Sequence, residues 1–363
     1  MIFVTGGTGL IGSHLLYKLV SDGKRVKALR REKSNLQQVY KVFSWYSSNP
    51  EELFSRIDWV NGDIQDYFEM ELLLQGIEEV YHCAGIVSFN SRDHQNMIRN
   101  NVEGTANLVN AALENGIKKF CHVSSVSALG KNENGYPITE ETNWIPSKKV
   151  SAYSKSKFFS EAEVWRGIEE GLDAVILNPS IVLGPGNWDA GSSGLFKLVW
   201  EGLKFYTGGS TGYVDVKDVV KAMVMLMDDW HFDSFKNKRY LLSAENRSFR
   251  EIFNMIADEL NKPRPPFYAG RLMLGFTWRA MSAIQLFVKP ARPVTREVAS
   301  AAVTKTLFDG SKITALPGFT YLPVTESVKQ TSEIFKSDKN SSGQESDPGK
   351  FSDYADLFSQ NGQ

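Results

Sequence analysis

Apolar and polar positions fall into alternating blocks along the first half of the chain. Ile2-Phe-Val4 runs through Thr5 into a glycine-rich turn, and Leu15, Leu16, Leu19 and Val20 then recur at helical spacing. That pattern predicts a buried strand, a tight turn and a helix. Further apolar runs predict strands at Arg25–Leu29, Ile57–Asn61, Glu79–Cys83 and Lys119–Val123. The stretch from Ser34 to Arg56 is polar and helix-like. A long helix is predicted from about Asp93 to Ala112, with Val102, Ala106, Leu108, Val109 and Ala112 as its apolar stripe. Ser151 opens another helix that reaches about Glu170. Strands alternating with helices in this way predict an α/β protein built on a doubly wound parallel sheet.

The second half is less regular. Arg239–Ser243 predicts a short strand, and Ser248–Leu260 an amphipathic helix begun by a serine cap. Phe267–Val288 is the most membrane-like stretch, but Arg271 and Arg279 interrupt it. It is expected to be a lid or substrate-lining helix, with an interfacial helix as the alternative. The expected organisation is a Rossmann-type domain over residues 1–180 and a smaller α/β substrate-binding unit over 181–336. Residues 213–230 are expected to return to the first domain. Residues 337–363 are polar and without period, the pattern of a disordered tail, in which Phe351, Tyr354 and Phe358 are candidate docking residues.

Composition adds constraints. The 363 residues are 42% hydrophobic and 23% charged, with a net charge of -1, which gives no reason to expect nucleic acid or an anionic membrane as partner. Cys83 and Cys121 sit in apolar strands and are expected to be buried, reduced thiols. The five His are scattered, and no Cys/His cluster has metal-ligand spacing. The first strand opens at Met1, so no signal peptide and a cytoplasmic location are expected.

The chemistry concentrates at strand ends. In Thr5-Gly-Gly-Thr-Gly-Leu-Ile-Gly12 the glycines stand between a strand and a helix, where helix-end N–H groups meet a pyrophosphate. Arg30 and Arg31 end the second strand. An acidic residue there would bind the adenosine ribose, whereas a guanidinium pairs with a 2′-phosphate, so NADP is expected ahead of NAD. Glu32 lies near the acidic position but beyond the strand end. Asp63 follows the third strand and is placed either to meet an adenine or to cap the next helix. Ala84 and Gly85 leave room for a cofactor against the backbone. Ser124 and Ser125 follow the fifth strand. Tyr153 and Lys157 lie four apart on one helical face, and a neighbouring ammonium favours a phenolate. A serine, a tyrosine and a lysine so arranged polarise a C=O or deprotonate an alcohol while a nicotinamide exchanges hydride.

Taken together, the chain resembles the extended short-chain dehydrogenases/reductases, the epimerase/dehydratase superfamily. The resemblance rests on Thr5–Gly12, Gly62-Asp63, Asn101–Thr105, Val123–Gly130, Tyr153–Lys157, Asn178–Pro185 and Tyr213–Val219, and covers residues 1 to about 225. It implies that Ser125 is the catalytic serine, with Ser124 the lesser candidate, that Tyr153 is the acid/base, and that Lys157 binds the nicotinamide ribose. It places the cofactor against Gly6, Thr8, Gly9, Leu10, Ile11 and Gly12, against Arg30, Arg31, Asp63, Ile64, Ala84, Gly85 and Ser124, and against Asn178, Pro179, Ser180 and Ile181. Asn101 is implied as a structural residue linking helix to strand. Family members often pair through the helices of Asn101 and Tyr153, which implies a homodimer.

Sugar-nucleotide dehydratases place a Thr-acid pair after the serine, where this chain has Val126 and Ser127. His82–Phe89 and Asn178-Pro179 resemble the dihydroflavonol-reductase and 3β-hydroxysteroid-dehydrogenase branch. The implied activity is an NADP-linked carbonyl reductase acting on a small apolar molecule. An NAD-dependent nucleotide-sugar epimerase and a non-catalytic NADP-binding protein are the alternatives. Phe89, Trp188 and Phe205 are candidate pocket walls. Arg264, Arg271, Arg279 and Arg292 are either a phosphate clamp or a solvated face.

Overall fold

Every residue of β1 (Ile2–Thr5) is buried, as a central strand covered on both faces requires. The computed structural model describes residues 1–88, 93–131, 135–147, 150–271, 273–274 and 295–341. In it β1 lies inside a seven-stranded parallel sheet with β2 (Val26–Arg30), β3 (Ile57–Asn61), β4 (Glu79–His82), β5 (Lys119–Val123), β6 (Ala174–Pro179) and a late strand, Lys238–Leu242. That strand is β10, and the order across the sheet is β10-β6-β5-β4-β1-β2-β3. The order reverses between β1 and β4, which opens a crevice at the carboxyl edge.

Side chains alternate between two apolar layers. Ile2 and Val4 face one, with α1 (Leu10–Ser21) and α2 (Leu36–Tyr46), while Phe3 faces the other. A short α3 (Pro50–Ser55) leads into β3, and α4 (Tyr67–Leu73) follows it. The helix predicted from Asp93 changes its winding on the way. It passes from α5 (His94–Ile98) through a π turn, Arg99–Glu103, into α6 (Gly104–Glu114). Such turns are common at functional sites, and this one contains Asn101. Ser151 caps α7 (Ala152–Glu169) by accepting from Ser154 N at 3.0 Å.

Beyond β6 the chain leaves the sheet through β7 (Ile181–Leu183), α8 (Gly194–Trp200), β8 (Phe205–Tyr206) and β9 (Ser210–Asp215). It returns along α9 (Val216–Met227), packed against α1 in the first layer, and α10 (Phe232–Phe235) to β10. It then runs out again through β11 (Glu245–Ser248), α11 (Phe249–Glu259) and β12 (Phe267–Tyr268). Ser248 and Glu251 form a reciprocal capping box on α11, so the serine signal marked a true helix start. Phe267 and Tyr268, expected to open a helix, instead form a strand paired with β8. Residues 272 and 275–294 lie outside the described residues, and Arg279 and Arg292 with them. No described helix is long and apolar enough to cross a membrane.

The C-terminal helix, Val324–Ser341, extends past the expected start of the tail at residue 337. The Asp338 carboxylate explains why. It accepts from Trp45 Nε1 at 3.0 Å and Trp188 Nε1 at 2.6 Å, and pairs with Lys41 at 2.7 Å. A charged anchor of this kind is absent from any apolar periodicity. Trp188, a candidate pocket wall or plain core residue by position, is buried with its ring against Trp45, Phe196 and Phe335. Phe205 is 46% exposed on β8, with its ring beside Phe267. Phe89 lies outside the described residues. Trp188→Ala is expected to cost about 3–5 kcal/mol of stability and to leave substrate KM unchanged. Urea denaturation and steady-state kinetics check both halves.

Candidate active site

The glycine turn after β1 is shaped by backbone contact. Gly6 has φ +68°, and Gly12 sits so close that a Cβ there would lie 2.2 Å from Gly6 O. Gly9 caps α1 without any side-chain bond, so the first N–H groups of that helix, from Leu10, Ile11 and Gly12, point outward past Thr8. This is an anion-binding geometry. At the end of β2, Arg30 is half-buried and its Nε is buried without a hydrogen-bond partner, whereas Arg31 is exposed. A buried guanidinium nitrogen with no partner at the end of β2, and an open helix N-terminus after β1, fit a dinucleotide.

Asp63 Oδ1 accepts from Gln65 N at 3.0 Å, and the cap of α4 is Asp66, not Asp63. Ile64 turns its side chain inward against Gly104, leaving only backbone near the crevice. Ala84 N donates to Thr5 Oγ1 at 3.3 Å, and Gly85 is exposed. A Cβ on Gly85 would stand 3.2 Å from Lys157 Nζ, so the missing side chain leaves room for the buried lysine.

Asn101 stitches the π turn to the segment after β4. Its Oδ1 accepts from Ile86 N at 2.7 Å, and its Nδ2 donates to Ile86 O at 3.0 Å and Ser156 Oγ at 3.1 Å. It thus links helix to strand end.

Ser125, Tyr153 and Lys157 come together at the carboxyl ends of β4, β5 and β6. Ser125 hydrogen-bonds the Tyr153 phenol, and its Oγ also accepts from Ser127 N at 3.1 Å. Lys157 Nζ donates to Val123 O at 3.0 Å. Burial pushes the lysine down to about 8, opposed by Cys83 and Glu161. The phenol moves against expectation: burial raises it, and the bond to Ser125 only partly offsets that rise. Burial therefore keeps the tyrosine in its protonated form.

Ser124 does not share this role. Its hydroxyl is buried and donates to Glu161 Oε2 at 2.6 Å. Asn178 is fully buried, and its Nδ2 donates to Ser125 O at 3.0 Å and Glu161 Oε2 at 2.7 Å. Pro179 and Ser180 are buried, and Ile181 half-buried, where β6 passes into β7. Glu161 itself escaped notice in the sequence. Only its spacing of four from Lys157 could have drawn attention to it.

Val126, next in the chain after Ser125, packs on a small buried core group of Leu129, Ile138, Leu241 and Phe308. Cys121 is buried and Cys83 partly so, both as free thiols, and burial lifts Cys83 to about 12. These are packing residues, not nucleophiles.

The sequence pattern of the NAD dependent epimerase/dehydratase family matches residues 2–238. The chain belongs to that family, and with it to the NAD(P)-dependent oxidoreductases. It is similar to a putative dihydroflavonol 4-reductase of Synechocystis sp., with 30% identity over 285 residues, 76% of this chain and 77% of that protein. Sterol demethylase protein B of Methylococcus capsulatus is 27% identical over 266 residues, 72% of this chain and 75% of its own. The crystal structure of gox2253 superposes with a TM-score of 0.75 at 27% identity, covering 93% of this chain and 98% of that one. A UDP-glucose 4-epimerase from Thermotoga maritima shares the fold, with a TM-score of 0.71 at 22% identity over 92% and 98% of the two chains.

Proposed function

We propose that this protein is an NADP-dependent reductase of a ketone or aldehyde on an uncharged, apolar molecule. The observation that carries the proposal is the Ser125–Tyr153–Lys157 cluster facing an open glycine turn, with the half-buried Arg30 at the next strand end. When bound, the nicotinamide cofactor supplies the hydride. Ser125 and Tyr153 hold the carbonyl oxygen between two hydroxyl groups, which steadies the charge that develops there. Tyr153 then donates its proton to that oxygen. Lys157 holds the cofactor ribose and favours the phenolate left behind.

The substrate side favours an apolar molecule over a sugar nucleotide. Four described cations of the second half of the chain are paired with carboxylates: Lys197 with Asp189, Arg239 with Glu161, Arg247 with Glu245 and Arg264 with Asp258. Arg264 in particular is exposed and paired, a solvated face and not a clamp. Relatives named as reductases support carbonyl reduction ahead of epimerisation.

A titration of the purified protein with NADPH and NADH, followed by nucleotide fluorescence, tests the cofactor assignment. Arg30→Asp is expected to weaken NADPH about 10- to 100-fold relative to NADH, the worth of one lost charge-assisted bond. Equal affinity for the two nucleotides, or a copurifying NAD that survives gel filtration, would move the assignment to the epimerase.

The rate of carbonyl reduction is expected to fall as pH rises through about 8, where Lys157 loses its proton. The linkage to stability has the opposite sign. A lysine lowered from 10.5 to about 8 makes the folded state bind fewer protons than the unfolded one between those values. Its contribution to stability therefore rises over that window. A kcat profile measured beside a melting curve separates the two, and a rate that stays flat to pH 9.5 would remove Lys157 from the mechanism.

A further inference from the structure

Glu161 is 3% exposed, yet it lies outside the three residues to which the proposed chemistry is assigned. It follows Lys157 by four positions and Tyr153 by eight, so α7 presents all three on one face. Each of its oxygens has two partners. Oε2 accepts from Ser124 Oγ at 2.6 Å and Asn178 Nδ2 at 2.7 Å, and Oε1 from Trp165 Nε1 at 3.2 Å and Arg239 Nη1 at 3.2 Å. The same Asn178 nitrogen donates to Ser125 O. Arg239 is held in turn, with its Nε donating to Glu140 O at 2.7 Å, while Glu140 Oε1 accepts from Leu241 N at 2.7 Å.

One carboxylate thus ties together the ends of β5 and β6 and the edge strand β10. The loop after β5 is gripped from α7 at two points. Lys157 takes Val123 O, and Glu161 takes the Ser124 hydroxyl and, through Asn178, Ser125 O. We propose that Glu161 is a positioning residue, which holds Ser125 against Tyr153 and supplies the negative charge that faces Lys157.

The neighbours of Lys157 sharpen the second half. His82 faces it from β4 and Cys83 from just beyond that strand, His122 from β5 and Glu161 from its own helix, where Tyr153 stands one turn earlier. Burial lowers His82 to about 3 and His122 well below the usual range, and it raises Cys83 and Tyr153. These four are neutral at pH 7. Glu161, salt-bridged to Arg239, is left as the anion of the group.

The test is Glu161→Gln in the full chain, and its kinetic arm rests on the reductase assignment. The expected result is a kcat about 10- to 100-fold lower, with NADPH affinity within threefold of the parent. The alkaline fall in rate should start about 1 pH unit lower, because Lys157 has lost its anion. A second arm needs no substrate: the pH dependence of Lys157 acylation by dilute acetic anhydride, read by mass spectrometry, should shift the same way. If the parent protein reduces no carbonyl compound, the functional assignment fails while the acylation arm still decides the role of Glu161. A lower melting temperature with neither profile displaced would mean a merely structural acid and overturn the proposal. Should Glu161→Gln not fold, Glu161→Asp keeps the charge one methylene further back. It is expected to lose kcat with its alkaline limb in place, and unimpaired kcat there would overturn the positioning role.

Discussion

Tyr153→Phe is expected to lower kcat for carbonyl reduction by about 10²- to 10⁴-fold, the range for losing a placed general acid. NADPH affinity should stay within about threefold, because the phenylalanine keeps the ring and the helix while removing one oxygen. The structure makes this a clean subtraction. The phenol oxygen bonds Ser125 and is raised by burial, so it stands as the protonated partner in a desolvated pair. Its loss leaves Ser125 as a single hydroxyl on the carbonyl oxygen, able to orient a substrate but with no acid beside it. Steady-state kinetics with a panel of ketones and aldehydes, with nucleotide titration of the same sample, gives both numbers. A variant that keeps more than a tenth of the parent rate would exclude Tyr153 as the proton donor.

Gly12→Ala is the second large effect, and it acts on binding. A Cβ at position 12 would fall 2.2 Å from Gly6 O, 2.8 Å from Gly6 C and 2.9 Å from Gly7 Cα. All three are backbone atoms of the turn itself, so no rotamer change relieves the contact. The turn has to open, and Gly6 at φ +68° sits against the Cys83–Ala84 backbone and cannot follow. Overpacking of this kind costs about 1–3 kcal/mol of stability. The larger consequence is that the first N–H groups of α1 lose their common aim, and NADPH affinity is expected to fall by about 100-fold or more. Thermal melting and fluorescence titration measure the two effects. An alanine variant that binds NADPH normally would place the pyrophosphate elsewhere.

The two effects differ in kind, and the fold explains why. The glycine turn lies at the end of β1, and the tyrosine stands on α7 across the ends of β4 and β5. They meet because consecutive parallel strands all end on one side of the sheet. Cofactor affinity and proton transfer thus rest on separate elements, and one can be damaged with the other intact.

Much of this was legible in the chain. Runs such as Ile2–Thr5, Ile57–Asn61 and Lys119–Val123 are short, apolar and bounded by turn residues, so their strands follow from local pattern. Ser151 and Ser248 mark helix starts because a cap is a contact with the next few residues. The glycine turn and the Tyr-Lys spacing are local for the same reason. What escaped depends on partners far apart in sequence. Trp188 became core because Asp338, 150 residues away, accepts its indole N–H. The resemblance ranked Ser125 ahead of Ser124, but the partner of Ser124 was not legible: its hydroxyl turns to Glu161, while that of Ser125 meets Tyr153. The direction of the Tyr153 shift was misjudged because a neighbouring cation is visible in a motif, whereas desolvation is a property of the assembled site. Local spacing therefore supplied the strands, the turn and the candidates for the site. Only tertiary packing decided what holds Ser124, which tryptophan is structural, and which acid stands behind the lysine.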